Sequence, residues 1–258
     1  MLQRLENTRP YSHPFSPIPV GDACYELPTD FVNGLAFLRP IVSAKGRSYE
    51  TQVNLLGGRL YALTTKLIVE YDAGQVNLPN WWFSPGQIPI LDAFGSPPAE
   101  VFVDGGDLCF RWPDGQECLL HGRRLWPSDS HEQMAKDAFA RFWRFDQGTE
   151  VTDEIRRSLR KKIGEKRLAP DIFLNGESLA SRMSSNGKNW TFESSDPFPT
   201  NAGRTMRFDR QAFLKMIRVA DEIDFSTSPV CFRHAHGRGM LVERTATSDT
   251  PDFGPFDD

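Results

Sequence analysis

The sequence predicts an α+β chain of two similar domains, each with two helices packed on antiparallel sheet. Three observations predict it. Short strand-like runs bounded by Gly and Asp-Gly turns dominate, with a few helical stretches set among them. The order strand, helix, several strands, helix, closing strands occurs twice. Two stretches also recur in residues: "TDFVNGL" (29–35) against "TDEIRRS" (152–158), 123 positions apart, and "LLGGRLYA" (55–62) against "FLNGESLA" (173–180), 118 apart.

The first repeat opens with the strand-like "ACYELP". In "TDFVNGLAFLRPIVS", Phe31, Leu35, Leu38 and Val42 recur at helical spacing, Thr29 is the expected N-cap, and Asp30 suits the positive end of the helix dipole. Pro40 ends or tightens that helix. Four strand-like runs follow, "TQVNLLG", "RLYALTT", "KLIVEYD" and "QVNLPNWWF", then a short helix in "SPGQIPILDAFG". The strands "AEVFVDG", "DLCFRWP" and "QECLLHGR" close the repeat through the hairpin turns "DGGD" and "PDGQ".

In the second repeat "FARFWRFDQGTEV" reads as a strand entering a helix, and "TDEIRRSLRKKI" as that helix. "PDIFLNGESLASRMSS", "NWTFESS" and "RTMRFD" read as strands, "RQAFLKMIRVADEI" as the second helix, and "SPVCFRHA" with "RGMLVERT" as a closing hairpin. The boundaries are a Pro-rich extension at 1–21, domains at 22–122 and 139–245, a polar connector at 123–138 with a helical turn near Gln133, and an acidic tail at 246–258.

With 39% hydrophobic and 25% charged residues, the 258-residue chain can bury a core. No apolar run approaches the ~20 residues that span a bilayer, and the N-terminus lacks a signal-peptide apolar core. Cys24, Cys109, Cys118 and Cys231 show no metal-ligand spacing and read as buried reduced thiols of a cytoplasmic protein. Phosphate-binding, dinucleotide-binding, zinc-protease and nucleophile-elbow motifs are all missing, so neither a cofactor nor an enzyme activity is expected. On a strand, His234 and His236 would share one face, but no third metal ligand accompanies them.

Two domains of this element order resemble the fold of DNA sliding clamps. "VNLLGGRLYALTTKLIVEYDAG", with Thr64, Leu67, Val69, Glu70 and Tyr71, is similar to a strand–turn–strand segment of bacterial β clamps, and "GGDLCFRWPDGQECLLHG" resembles the closing hairpins of such a domain. The bacterial clamp has three such domains per chain and closes as a dimer. A two-domain chain is instead similar to proliferating cell nuclear antigen and to bacteriophage clamps, which close as trimers. The resemblance implies a non-catalytic homotrimeric ring around duplex DNA, without sequence preference and off the membrane. It would tether a DNA polymerase and be handled by a clamp loader.

The charge pattern suits that expectation. Residues 152–167 hold seven cations and three acids in a chain of net charge -4; 30 minus 7 and 34 minus 3 leave 23 cations against 31 anions elsewhere. At about 100° per residue, Ile155, Leu159 and Ile163 form one stripe, with Arg157, Arg160 and Lys161 opposite. In the second helix Phe213, Met216, Ile217 and Ala220 cluster, while Gln211, Lys215 and Arg218 point away. These six are the expected phosphate contacts. The first repeat offers only Arg39, Lys45 and Arg47 near its helix end. By position in the resemblance, Leu125, Trp126 and Pro127 of the connector are the expected partner-binding residues. The competing readings are an open-surface nucleic-acid-binding module using the basic helix, and an enzyme built around His121, His234 and His236.

Overall fold

A computed structural model describes residues 24–104, 107–121, 129–176, 178–184, 189–194, 204–245 and 250–253. The extension, most of the tail, the Gly105-Gly106 turn and connector residues 125–127 therefore lie outside the described residues. The chain divides into two compact units: 1–64 with 70–136, and 65–69 with 137–258.

The first unit contains β1 (Cys24–Glu26), α1 (Phe31–Leu38), a 3-10 turn (Ser48–Glu50), β2 (Val53–Leu56) and β3 (Arg59–Leu63). After β4 (Leu67–Tyr71), which crosses the boundary between units in the chain, come β5 (Trp81–Phe83), α2 (Ile88–Asp92), β6 (Glu100–Asp104), β7 (Asp107–Arg111) and β8 (Glu117–His121). One sheet runs β1-β6-β7-β8, and β5-β2-β3 forms a second antiparallel run. Phe31 of α1 meets Phe83 edge-on at 5.7 Å and stacks on Phe110 at 6.4 Å, joining the two runs through one core. The β2–β3 turn is Gly57-Gly58 with φ of 55° and 81°, the double left-handed conformation that a two-residue hairpin of this hand requires.

α3 (Asp129–Phe142) begins in the first unit and ends in the second. The second unit continues with β9 (Thr149–Glu150), α4 (Asp153–Ile163), β10 (Asp171–Asn175), β11 (Ser178–Ser181), β12 (Thr191–Ser194) and β13 (Met206–Asp209). It closes with α5 (Arg210–Val219), β14 (Glu222–Asp224), β15 (Val230–His234) and β16 (Gly237–Leu241). Its sheets run β12-β11-β10-β13 and β16-β15-β14-β9. The units match strand for strand: β1 pairs with β6 as β9 pairs with β14, and β5-β2-β3 has its counterpart in β13-β10-β11. The recurring hairpin is paired Leu56↔Arg59 in one unit and Asn175↔Ser178 in the other.

Four expectations need correction. Thr29 does not cap α1. The N-cap is Asp30, without a side-chain cap bond, because its carboxylate accepts from the Tyr71 hydroxyl at 2.5 Å and from Asn33 Nδ2 at 2.9 Å. Burial, and then this bond, hold the Tyr71 hydroxyl above its ordinary pKa. The stretch read as a connector with one helical turn and then a strand is the four-turn helix α3. Ala135 and Phe139 bury one helical stripe, with Asp129 and Glu132 at its positive end and Arg141 at its negative end. α5 stops at Val219, since Ala220 turns extended at ψ 137° and Glu222–Asp224 joins the sheet. Finally, Cys24 is exposed, whereas Cys118 and Cys231 are buried thiols; burial raises Cys118 to about 11.

Candidate functional site

The basic surface of the second unit is built on α4. Thr152 Oγ1 accepts from Ile155 N at 3.3 Å and starts the helix, with Asp153 and Glu154 in the first turn and Arg160, Lys161 and Lys162 in the last, both favourable to the dipole. Ile155, Leu159 and Ile163 are buried; Arg157, Arg160 and Lys161 are exposed on the opposite side, as the spacing predicts. Among the described residues none of these three cations forms an ion pair. Arg157 Nε donates to the Asp153 carbonyl at 3.2 Å.

Arg156 has a different role. It is half-buried and donates to the carbonyls of Ile217 (3.3 Å) and Ala220 (2.7 Å) and to Asp221 Oδ1 (3.1 Å), which ties α4 to α5. Opposite it, Arg210 at the start of α5 is 5% exposed and donates to the carbonyls of Ile163 (2.8 Å), Ala169 (3.1 Å) and Leu168 (3.4 Å). Asp209 caps α5, accepting from Ala212 N at 3.0 Å, and also holds Lys66 Nζ at 2.5 Å.

On α5, Gln211 and Arg218 are exposed and Phe213, Met216 and Ile217 are buried. Lys215 departs from its expected place. It is half-buried, and desolvation lowers its pKa although the Asp209 carboxylate works the other way. Lys166 and Arg167, just beyond α4, are exposed and extend the basic surface. They belong to the same basic stretch but fall past Ile163, where helical periodicity no longer assigns a face.

In the first unit Arg39, Lys45 and Arg47 are exposed beyond α1. Arg47 is engaged locally, donating from Nη1 to the Tyr49 hydroxyl at 3.2 Å and from its backbone N to Glu50 Oε2 at 2.8 Å. Leu125, Trp126 and Pro127 fall outside the described residues.

His121 Nδ1 sits 2.9 Å from Asp107, His234 is buried at the end of β15, and His236 is exposed in the following turn rather than on the same strand face. Among the described residues no group of three or more His, Cys, Asp or Glu could hold a metal. A cleft of about 650 Å³ at the start of α4 is lined by both signs of charge, including Asp153, Arg156, Asp221 and Arg233. No helix of the described residues is long and apolar enough to cross a membrane.

No protein-family model matches the sequence, and no curated protein matches it significantly. Solved structures do match. The Helicobacter pylori beta clamp bound to a DNA ligase peptide is similar at TM-score 0.61 and 9% identity, over 91% of this chain and 69% of that one. The Caulobacter crescentus polymerase III beta chain is similar at TM-score 0.60 and 13% identity, over 92% and 70%. The Pseudomonas aeruginosa DNA polymerase sliding clamp is similar at TM-score 0.57 and 11% identity, over 91% and 69%. The chain has the fold of the DNA sliding clamps.

Proposed function

We propose that this protein is a DNA sliding clamp: a non-catalytic homotrimeric ring that encircles duplex DNA and tethers a replicative polymerase. One observation carries the reading. The second unit of a clamp fold turns Arg157, Arg160, Lys161 and Arg218 outward from a buried apolar stripe, in a chain that is acidic elsewhere. Cations on helix faces contact phosphates without reading sequence, which suits a ring that must slide. Acidic surfaces elsewhere repel DNA and keep the attachment topological. Lys215 and Gln211 complete the surface on α5, and Arg39, Lys45 and Arg47 supply what the first unit contributes.

Domain arithmetic supports the proposed trimer. The chain matches 69% of the Helicobacter pylori clamp, about what two of three domains would cover, and six domains in a ring of two-domain chains make a trimer. Polymerase and loader are the proposed clients. The Helicobacter pylori clamp is seen with a DNA ligase peptide, and Leu125, Trp126 and Pro127 are the residues proposed to receive a client segment here.

Native mass tests the ring. A species of about three chains of 29.2 kDa each is expected at concentrations above the dissociation constant. A single-chain mass there, with duplex affinity retained, would favour the open-surface reading instead.

A further inference from the structure

One row of side chains crosses the sheet β12-β11-β10-β13 of the second unit on the face turned away from α5. Along it Arg207 pairs with Phe173, Phe173 with Ala180, and Ala180 with Phe192, and residues so paired share a face. The adjoining pair Ile172 and Phe208 points the other way, where Phe208 meets Phe213 of α5 at 5.6 Å. Ala180 stands between two rings, so the row carries a slot. Trp190 closes on Phe173 edge-on at 5.0 Å, beneath the Arg182 guanidinium at 4.6 Å. Phe173 and Ala180 are buried, whereas Phe192, on the edge strand β12, is 49% exposed.

The chain's own C-terminal segment is held at both ends of this row. At one end Arg244 N donates to the Arg207 carbonyl at 2.8 Å, and Arg207 Nη1 donates to the Thr245 carbonyl at 3.1 Å. Asp171 holds both arginines, accepting from Arg207 Nη2 at 2.7 Å and from Arg244 Nη1. At the other end Phe253 meets Phe192 edge-on, centroids 5.5 Å apart and planes at 79°, and Pro251, two residues earlier, is buried. The row is three strand spacings wide, about 14 Å, which the positions from Thr245 to Phe253 can span with length to spare. The root is bound by hydrogen bonds and ion pairs within the fold. At the tip the aromatic contact leaves Phe192 half in water, surface that a better-fitting segment would cover.

We propose that this row is a docking site for an extended Pro-x-Phe segment of a partner protein, and that Pro251-Asp252-Phe253 occupies it in cis as the competitor of that segment. The occupant defines the chemistry. A phenyl ring sets its edge against Phe192, and a proline with φ already fixed loses little freedom on docking. The tether keeps the competitor at a high local concentration, so the site admits only a partner that outbinds it. Every residue involved belongs to the second unit, and the proposal does not require a ring.

Fluorescence anisotropy of a labelled peptide, "TSDTPDFG" (residues 247–254), with the full-length chain tests it. Phe253→Ala in the chain weakens the tethered competitor and should tighten peptide binding by about tenfold or more over the native chain. Adding Phe192→Ala should reverse that gain, and the peptide with its own Phe253→Ala should not bind. If the double variant does not fold, as judged by its thermal melt, hydrogen exchange of β12 in the Phe253→Ala chain carries the test, and the peptide should slow it. No peptide binding by the Phe253→Ala chain would make the segment a fixed structural cover and overturn the proposal. Equal affinity of the native and Phe253→Ala chains, or an affinity indifferent to Phe192, would overturn it as well. A Phe253→Ala chain that gains mass by self-association yet takes up no peptide would put a second copy in the site and overturn the partner reading. A single-chain native mass with peptide binding intact would sink the ring and leave this site standing.

Discussion

α1 and α4 hold the same place in the strand order of their units, yet their surfaces are used differently. α1 has no charged residue, and five of its eight positions are buried, Gly34 among them. A Cβ at Gly34 would come within 2.7 Å of both Leu60 and Tyr71, so the helix lies close against its own sheet. α4 buries three of eleven residues and leaves its remaining faces to Arg, Lys and acids. A helix packed on most of its sides has no face left for charge. The cations beside α1 therefore sit past the helix end, at Arg39, Lys45 and Arg47, and under the proposed function the helices of the first unit contribute fewer cations than those of the second.

The contrast can be broken first on stability. Phe31→Ala should cost about 3–5 kcal/mol and Leu159→Ala about 2–5 kcal/mol, because both side chains are enclosed and the cavities they leave cannot collapse fully. Denaturant titration of each variant measures it. A Phe31 variant as stable as the native chain would mean that α1 is not the packing helix described.

Duplex binding sharpens it next. Arg157→Glu with Lys161→Glu should lower the slope of log K against log salt by about 1.8, at about 0.9 per phosphate. Arg39→Glu with Lys45→Glu should lower it less. Equal losses would show that the two units contribute evenly and that the comparison of α1 with α4 has no bearing on DNA.

Capping gives the smallest effect. Thr152→Ala removes a bond to the Ile155 backbone and should cost about 1 kcal/mol. Thr29→Ala, at the corresponding place in the first unit, should change stability by no more than about 0.5 kcal/mol, since α1 makes no side-chain cap bond. Thermal melts of the two variants side by side decide it.

What could be read from the sequence was what depends on local period. Ile155, Leu159 and Ile163 recur at helical spacing, so their burial and the exposure of Arg157, Arg160 and Lys161 followed from geometry within one helix. The Gly57-Gly58 turn was legible because few residues other than glycine adopt its conformation. What escaped depends on neighbours far along the chain. Arg156 and Arg210 look like any other cation in a basic run, and only the carbonyls of Ile217 and Ile163 turn them inward. Lys215 is half-buried for the same kind of reason. α3 was missed because Phe139, Phe142 and Trp143 favour strands by propensity, while the stripe Ala135–Phe139 that buries the helix is short.

Arg210 also has a mechanical meaning. Its planar fork holds the last carbonyl of α4 together with those of Leu168 and Ala169, while its own backbone begins α5. Arg156 fastens the same two helices from the other side, to carbonyls near the end of α5. A pair joined at two points resists shear that a single contact would let pass as rotation. Lysine, with one compact donor group, could not span three carbonyls in this way. Under the proposed function, sideways drag on Arg157 or Lys161 from a moving polyanion would be shared with α5 and, through Asp209, with the segment around Lys66, so that α4 would not bend under it alone.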